Sequence, residues 1–235
     1  MEQKGKFYKP VVSQILNANK PGTILDAPSG NGWLGQSLTY DSFSIDGIDL
    51  WESKPSRYRN FYVQNLDEGL KDDLPAYQAI ITCEGIEHIG NPELFIRSIF
   101  NHLDENGLVV ITTPNIWYPE SRLQYFIRGF FPSFPCLVSK IKRGTHMHVM
   151  PWSFAQLYLY LKLCGFEDIT LHKTPERKPK HVFEWIVGIL PSLYCISKKL
   201  KAKTNEQKSF WGFACSKESL YGRQLVVSAK KPGTN

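Results

Sequence analysis

The chain has 235 residues, 42% hydrophobic and 21% charged, the balance of an ordinary globular protein, which excludes disordered, collagen-like and disulfide-scaffold classes. Its net charge of +6 is unevenly placed: residues 1–174 hold 16 Lys and Arg against 18 Asp and Glu, whereas 175–235 hold 12 against 4. A near-neutral body with a basic C-terminal quarter points either to an anionic partner near that quarter or to a solvated charged face.

The polar start, Met1 to Lys6, leads into no apolar run of signal-peptide or membrane-spanning length, so a cytoplasmic protein is expected. Cys83, Cys136, Cys164, Cys195 and Cys215 are odd in number and never in C-x-x-C. They read as reduced core thiols rather than a disulfide framework or a zinc cluster.

In chain order, an amphipathic helix around Val11–Asn17 is broken by Lys20-Pro21-Gly22, and a buried strand follows at Thr23–Asp26. That strand runs into Gly30-Asn31-Gly32 and a helix near Trp33–Leu38. Strands are predicted at Ser44–Leu50, Phe61–Val63 and Ala79–Cys83, the last apolar enough to be buried on both faces. A helix from Asn91-Pro92 to Leu103 is expected to stop at Asn106-Gly107, before another buried strand at Leu108–Thr113. From Pro114 to Pro151 the pattern dissolves into aromatics, Pro and Gly, and is read as a substrate lid. A helix at Trp152–Cys164 closed by Gly165 precedes a strand at Phe166–Leu171. An apolar and basic insertion at about 175–219 precedes a last strand at Gln224–Ala229. The alternation predicts a single α/β domain over residues 1–235, built on a parallel sheet.

A Gly-bearing turn between a buried strand and a helix lets backbone N–H groups approach a ligand at the C-terminal edge of a sheet. Leu25-Asp26-Ala27-Pro28-Ser29-Gly30-Asn31-Gly32 has that form with an acid leading the turn, and it lacks the third Gly of the dinucleotide-binding fingerprint. The turn resembles motif I of class I S-adenosylmethionine-dependent methyltransferases, with Pro28 in place of the first Gly. The resemblance extends through Asp49, Glu84-x-x-Glu87-His88, the strand ending Thr113-Pro114-Asn115, and Gly165-Phe166. It also resembles the branch associated with bacterial surface-polysaccharide biosynthesis.

The resemblance implies a Rossmann-like methyltransferase fold, a mostly parallel seven-stranded sheet with helices on both faces, and S-adenosylmethionine as donor. It implies Asp26 near the methionine amino group, Gly30 and Gly32 allowing close approach, and Asp49 accepting both ribose hydroxyls. Asn65 and Leu66 fall at the adenine side, with Asp67 as the alternative to Asn65, and Glu84 joins the donor-binding set. His146, His148, Glu87 and His88 are the catalytic candidates, because a histidine suits general-base assistance to an attacking hydroxyl. Glu84, Glu87, His88 and His148 also resemble the cation-binding set of small-RNA 3'-terminal 2'-O-methyltransferases, so a divalent metal is carried as the alternative to a metal-free site.

The expected reaction is O-methylation of a sugar, glycan or other small-molecule hydroxyl. RNA methylation and a non-catalytic donor-binding scaffold are the alternatives, and DNA is not an expected partner. The segment His181–Lys203 is apolar and aromatic, then basic, and too interrupted to span a bilayer. Peripheral contact with the inner membrane face is one reading of it, and a helix packed on the domain is the other.

Overall fold

The computed structural model describes residues 5–53, 55–132 and 148–233. Seven strands, β1 (Thr23–Asp26), β2 (Ser44–Asp49), β3 (Tyr58–Val63), β4 (Tyr77–Cys83), β5 (Leu103–Pro114), β6 (Glu167–Leu171) and β7 (Gln224–Lys230), form one sheet. Their order is β3-β2-β1-β4-β5-β7-β6. Strands β1 to β5 run parallel, while β7 is antiparallel to both β5 and β6. Because β1 lies between β2 and β4, the connection leaving β1 runs to one side and that leaving β4 to the other, and the crevice this opens at the strand ends is where open α/β sheets bind ligands.

Period-two alternation along each strand sorts the core into two layers. Leu25, Ile80, Val109 and Ile111 face α3 (Pro92–His102) and α5 (Phe154–Leu163), meeting Phe95, Ile99, Phe154 and Leu161. Ile24, Ile81, Leu108 and Val110 face the other way, onto Val12, Ile15 and Leu16 of α1 (Lys9–Asn19) and Leu34 of the short α2 (Leu34–Ser37). Helix α1 ends at Lys20, which takes a left-handed φ of 48° just before Pro21-Gly22. Helix α3 starts with Pro92 in its first turn and the Asn91 side chain accepting from Leu94 N. Helix α5 opens on a capping box, Ser153 with Gln156.

Two expectations are corrected. Asn106-Gly107 does not separate a helix from a strand; β5 already begins at Leu103. The register jumps from Tyr77–Leu103 to Ala79–Leu108, with Asn106 at a φ of 61°. The pair forms a bulge, and an added Cβ at Gly107 would lie 2.7 Å from Asp104 O. The stretch read as a lid is not without pattern either, since α4 (Pro119–Arg128) occupies its first part. The rest of that lid, residues 133–147 and with it His146, lies outside the described residues. The 175–219 segment is helical: α6 (Phe183–Lys201), α7 (Asn205–Ala214) and α8 (Lys217–Tyr221). Tyr221 abuts α6 at Gly188, where a Cβ would fall 2.2 Å from the phenol oxygen.

Candidate active site

The turn after β1 is held by its neighbours on both sides. Ala27 N donates to Ile81 O of β4 and Ser29 N to Ile48 O of β2, at 2.9 and 2.8 Å. Gly30 and Gly32 both take positive φ, 54° and 71°. A Cβ on Gly32 would collide with Pro55 at 2.1 Å, while one on Gly30 would meet nothing within 4 Å because it faces the open cleft. Pro28, the departure from the usual Gly, packs on Gly85, where an added Cβ would lie 2.2 Å away. The glycine that makes room for Pro28 stands in the loop after β4.

A cleft of about 510 Å³ lies over this turn, lined by Pro28 to Asn31, Asp49, Leu50, Gln64 to Asp67, Glu84, Gly85 and His88. That volume suits a cofactor-sized ligand. Asp49 ends β2 and receives Gly30 N on Oδ2 at 2.9 Å. Asn65 caps the 3-10 turn Leu66–Glu68 by accepting from Asp67 N, and Asp67 in turn accepts from Gly90 N at 2.8 Å. The cleft thus brings together Gly30, Asp49, Asn65, Leu66 and Glu84 of the expected donor set, with both adenine-side candidates present. Its carboxylates Asp49, Asp67 and Glu84 suit a ligand bearing a sulfonium and an ammonium.

Asp26 is placed differently from the expectation. It is fully buried, outside the lining, and accepts a hydrogen bond from the Tyr58 hydroxyl. Burial raises its carboxyl to about 7, the Tyr58 hydrogen bond opposing and the charge of Asp49 adding. It braces the turn from below.

Glu84 takes a φ of 52° at the end of β4, and its carboxylate accepts from Thr112 at 3.2 Å and from Gln224 of β7. Glu87 follows on a 3-10 turn, Ile86–His88, and accepts from Thr113 at 3.0 Å; its other oxygen, Oε1, has no hydrogen-bond partner among the described residues and lies 4.0 Å from His88 Nε2. Burial pushes both carboxyls up, and for Glu87 the charge of Glu84 adds to it. The Glu87 carbonyl accepts from Val149 N and Met150 N at 2.8 and 3.1 Å. That docking sets the His148 ring edge-on to His88 at 4.9 Å between centroids. Burial, with His88 beside it, holds the His148 imidazole below its usual pKa.

On the far side of this cluster is a smaller cavity of about 120 Å³, lined by Glu87, His148, Trp152, Asn115, Tyr118 and Arg223 among others. Glu84 and His88 therefore face the larger cleft, Glu87 and His148 the smaller cavity. Glu87, His88 and His148 each offer an atom within 4.8 Å of one another, a spacing a cation could bridge. Glu84, the fourth member of the expected metal set, does not belong to that group, its carboxylate being engaged by Thr112 and Gln224. A still larger groove, about 1040 Å³, lies at the opposite edge of the parallel strands between α1, α5, α7 and β6. Its lining mixes Lys162, Lys173 and Lys230 with Glu167 and Glu206.

Sequence reasoning missed four groups at the site. Tyr8 and Lys9, from the start of α1, close one side of the donor cleft. Gln224 reaches Glu84 across the sheet, and Arg223 walls the smaller cavity with its guanidinium 4.7 Å from the Tyr118 ring. Only the Gly222-Arg223-Gln224 step into the last strand offered a signal, a charged and an amide side chain immediately ahead of an apolar run.

The family model described as a methyltransferase domain matches residues 2–171. Among curated relatives, the ubiquinone biosynthesis O-methyltransferase of Rickettsia akari is 32% identical over 101 residues, 39% of this chain and 40% of that protein. The corresponding protein of Nitrosomonas europaea is 26% identical over 145 residues, 57% of this chain and 59% of that one. The chain spans about two fifths of the length of the first of these relatives. A SAM-dependent methyltransferase from Archaeoglobus fulgidus superposes with a TM-score of 0.56 at 16% identity, covering 95% of this chain and 94% of that one. Human N-acetylserotonin methyltransferase in complex with SAM superposes at 0.53 and 14%, covering 96% and 52%. These structural likenesses bear on the fold, which has the seven-stranded methyltransferase arrangement. With most of its length matched by the family model and its strand order and turn in agreement, the chain belongs to the methyltransferase-domain family, the class I S-adenosylmethionine-dependent methyltransferases.

Proposed function

We propose that the protein transfers a methyl group from S-adenosylmethionine to a hydroxyl of a small acceptor held in the cavity beside Glu87 and His148. The observation that carries this reading is the wall between the two cavities: Glu84 and His88 on the donor side, Glu87 and His148 on the other. In this reading Asp49 accepts the ribose hydroxyls, Asn65 and Leu66 hold the adenine, Gly30 lets the donor approach, and Glu84 faces its methionine end, while Gly32, packed on Pro55 outside the cleft lining, shapes the turn.

Transfer is an in-line displacement. The acceptor oxygen bonds the methyl carbon as the sulfur–carbon bond breaks, its electron pair stays on sulfur, and the hydroxyl proton passes to neutral His148. Alignment supplies much of the rate, and a general base adds to it.

The resemblance to polysaccharide-cluster enzymes favours a sugar or glycan hydroxyl, and the relatives named for ubiquinone biosynthesis favour a quinol-type hydroxyl. The small cavity suits the hydroxyl-bearing tip of either better than a run of nucleotides. A donor-turnover screen over nucleotide sugars, lipid-linked glycans, quinols and RNA tests the assignment. Methyl transfer to RNA alone, or no transfer to any of them despite donor binding, refutes it.

A second reading places a divalent cation on Glu87, His88 and His148, favoured by the convergence of their ligating atoms. Chelation decides between the two. Activity that survives EDTA supports the base, and activity abolished by EDTA and restored by Mn or Mg supports the cation.

A further inference from the structure

Helix α6 buries Glu184, Gly188 and Cys195 and leaves the opposite side bare. Val182, Ile186, Leu190, Leu193 and Leu200 fall on one stripe at helical spacing, and Ile186 and Leu190 are 70% and 77% exposed. Helix α4 packs against α6 and ends in Phe126 and Ile127, 86% and 73% exposed. An apolar surface of this extent is far from the scattered exposed residues of an ordinary face.

The charge on this stretch has one sign. Lys198, Lys199, Lys201 and Lys203 crowd the end of α6 and the residues after it, and Arg128 ends α4. Glu184 is the one acid between 182 and 203, and it is buried against Arg223. A second copy laid stripe to stripe would bring lysines against residues 182–203, which offer no exposed carboxylate in return. Among the described residues, no helix is long and apolar enough to cross a membrane. An apolar stripe ending in a lysine cluster fits a helix lying in the plane of an anionic lipid surface.

We propose that α6, with the end of α4, docks the protein on the surface of an anionic phospholipid bilayer. The docking face and the smaller cavity share a frame, because Arg223 on the cavity wall bonds both Glu120 of α4 and Glu184 of α6. Docking stands independently of the methyl-transfer reading, and donor affinity measured on the same preparations keeps the two failures apart.

The test is co-sedimentation with vesicles of phosphatidylcholine alone and of phosphatidylcholine mixed equally with phosphatidylglycerol. The protein partitions roughly tenfold or more strongly onto the anionic vesicles, and added salt weakens that preference. The surface variant Ile186→Glu/Leu190→Glu loses binding to both. Lys198→Glu/Lys199→Glu/Lys201→Glu removes the anionic preference. Both variants keep the wild-type melting temperature, which shows that they fold. Absence of binding to anionic vesicles at low salt overturns the proposal, as does equal binding by Ile186→Glu/Leu190→Glu and wild type. A dimer seen by light scattering that Ile186→Glu/Leu190→Glu dissociates, without vesicle binding, assigns the face to a second copy instead and also overturns it.

Discussion

Asp26→Asn should change how stability depends on pH, because the native chain keeps a proton there that the unfolded chain releases. The carboxyl is enclosed at the end of β1 and raised to about 7 from 3.8, chiefly by burial. For an acid raised on folding, the contribution is fully present below 3.8 and is lost as pH climbs toward 7, since over that span the folded state binds more proton than the unfolded. Each pH unit in the window costs about 1.4 kcal/mol, so between roughly pH 5 and pH 8 Asp26 alone removes about 2–3 kcal/mol from the wild type. The asparagine has no proton to lose and still offers an amide oxygen to the Tyr58 hydroxyl. Urea unfolding at the two pH values measures it: the fall in stability should be smaller in Asp26→Asn by about 2–3 kcal/mol. Parallel pH dependences in the two proteins would refute the account of a protonated, buried Asp26.

Asp49→Ala should weaken donor binding by about 1.5–3 kcal/mol, the worth of hydrogen bonds to a charged group, with Asp49→Asn intermediate because it keeps an acceptor for Gly30 N; calorimetry reads it, and unchanged affinity refutes the ribose role. His148→Ala should lower turnover about 10²–10⁴-fold while donor affinity holds, and wild-type turnover would shift the base to His146 or Glu87. Gly85→Ala should destabilise by about 1–3 kcal/mol, because its methyl has no room beside Pro28. In a Pro28→Gly background the same change should cost less, and additive losses would show that the two residues do not compete for one space.

Where burial on both faces dictated residue choice, the sequence was readable. Ala79–Cys83 and Leu108–Thr113 are buried, mostly apolar runs because both helical layers press on them, and β4 and β5 contain them. The turn at Gly30 and Gly32 was legible for a different reason, since positive φ leaves few residues to choose from. Helix α4 was not legible, because its largest apolar residues, Phe126 and Ile127, face outward and erase the periodicity that burial would impose. Asn106-Gly107 misled because a bulge and a helix stop draw on the same left-handed residue. The site divided similarly. Glu84, Glu87 and His88 stand together in the chain and could be grouped by eye. Gln224 and Arg223 join them only through the antiparallel pairing of β7 with β5, which no local pattern encodes.

The place of β7 between β5 and β6 sets an order of assembly. During synthesis the first five strands can join side by side as they leave the ribosome, each next to a neighbour already present. Strand β6 cannot, because it bonds to β7 and to no other strand of the sheet. It must wait, its edge groups unmatched, until three more helices and the last strand have been made, while β5 holds open the edge that β7 will fill. The family match ends at residue 171, at the end of β6, so a chain ending there would hold every matched residue and an unclosed sheet. Strand β7 is thus the piece that ties β6 to the parallel strands.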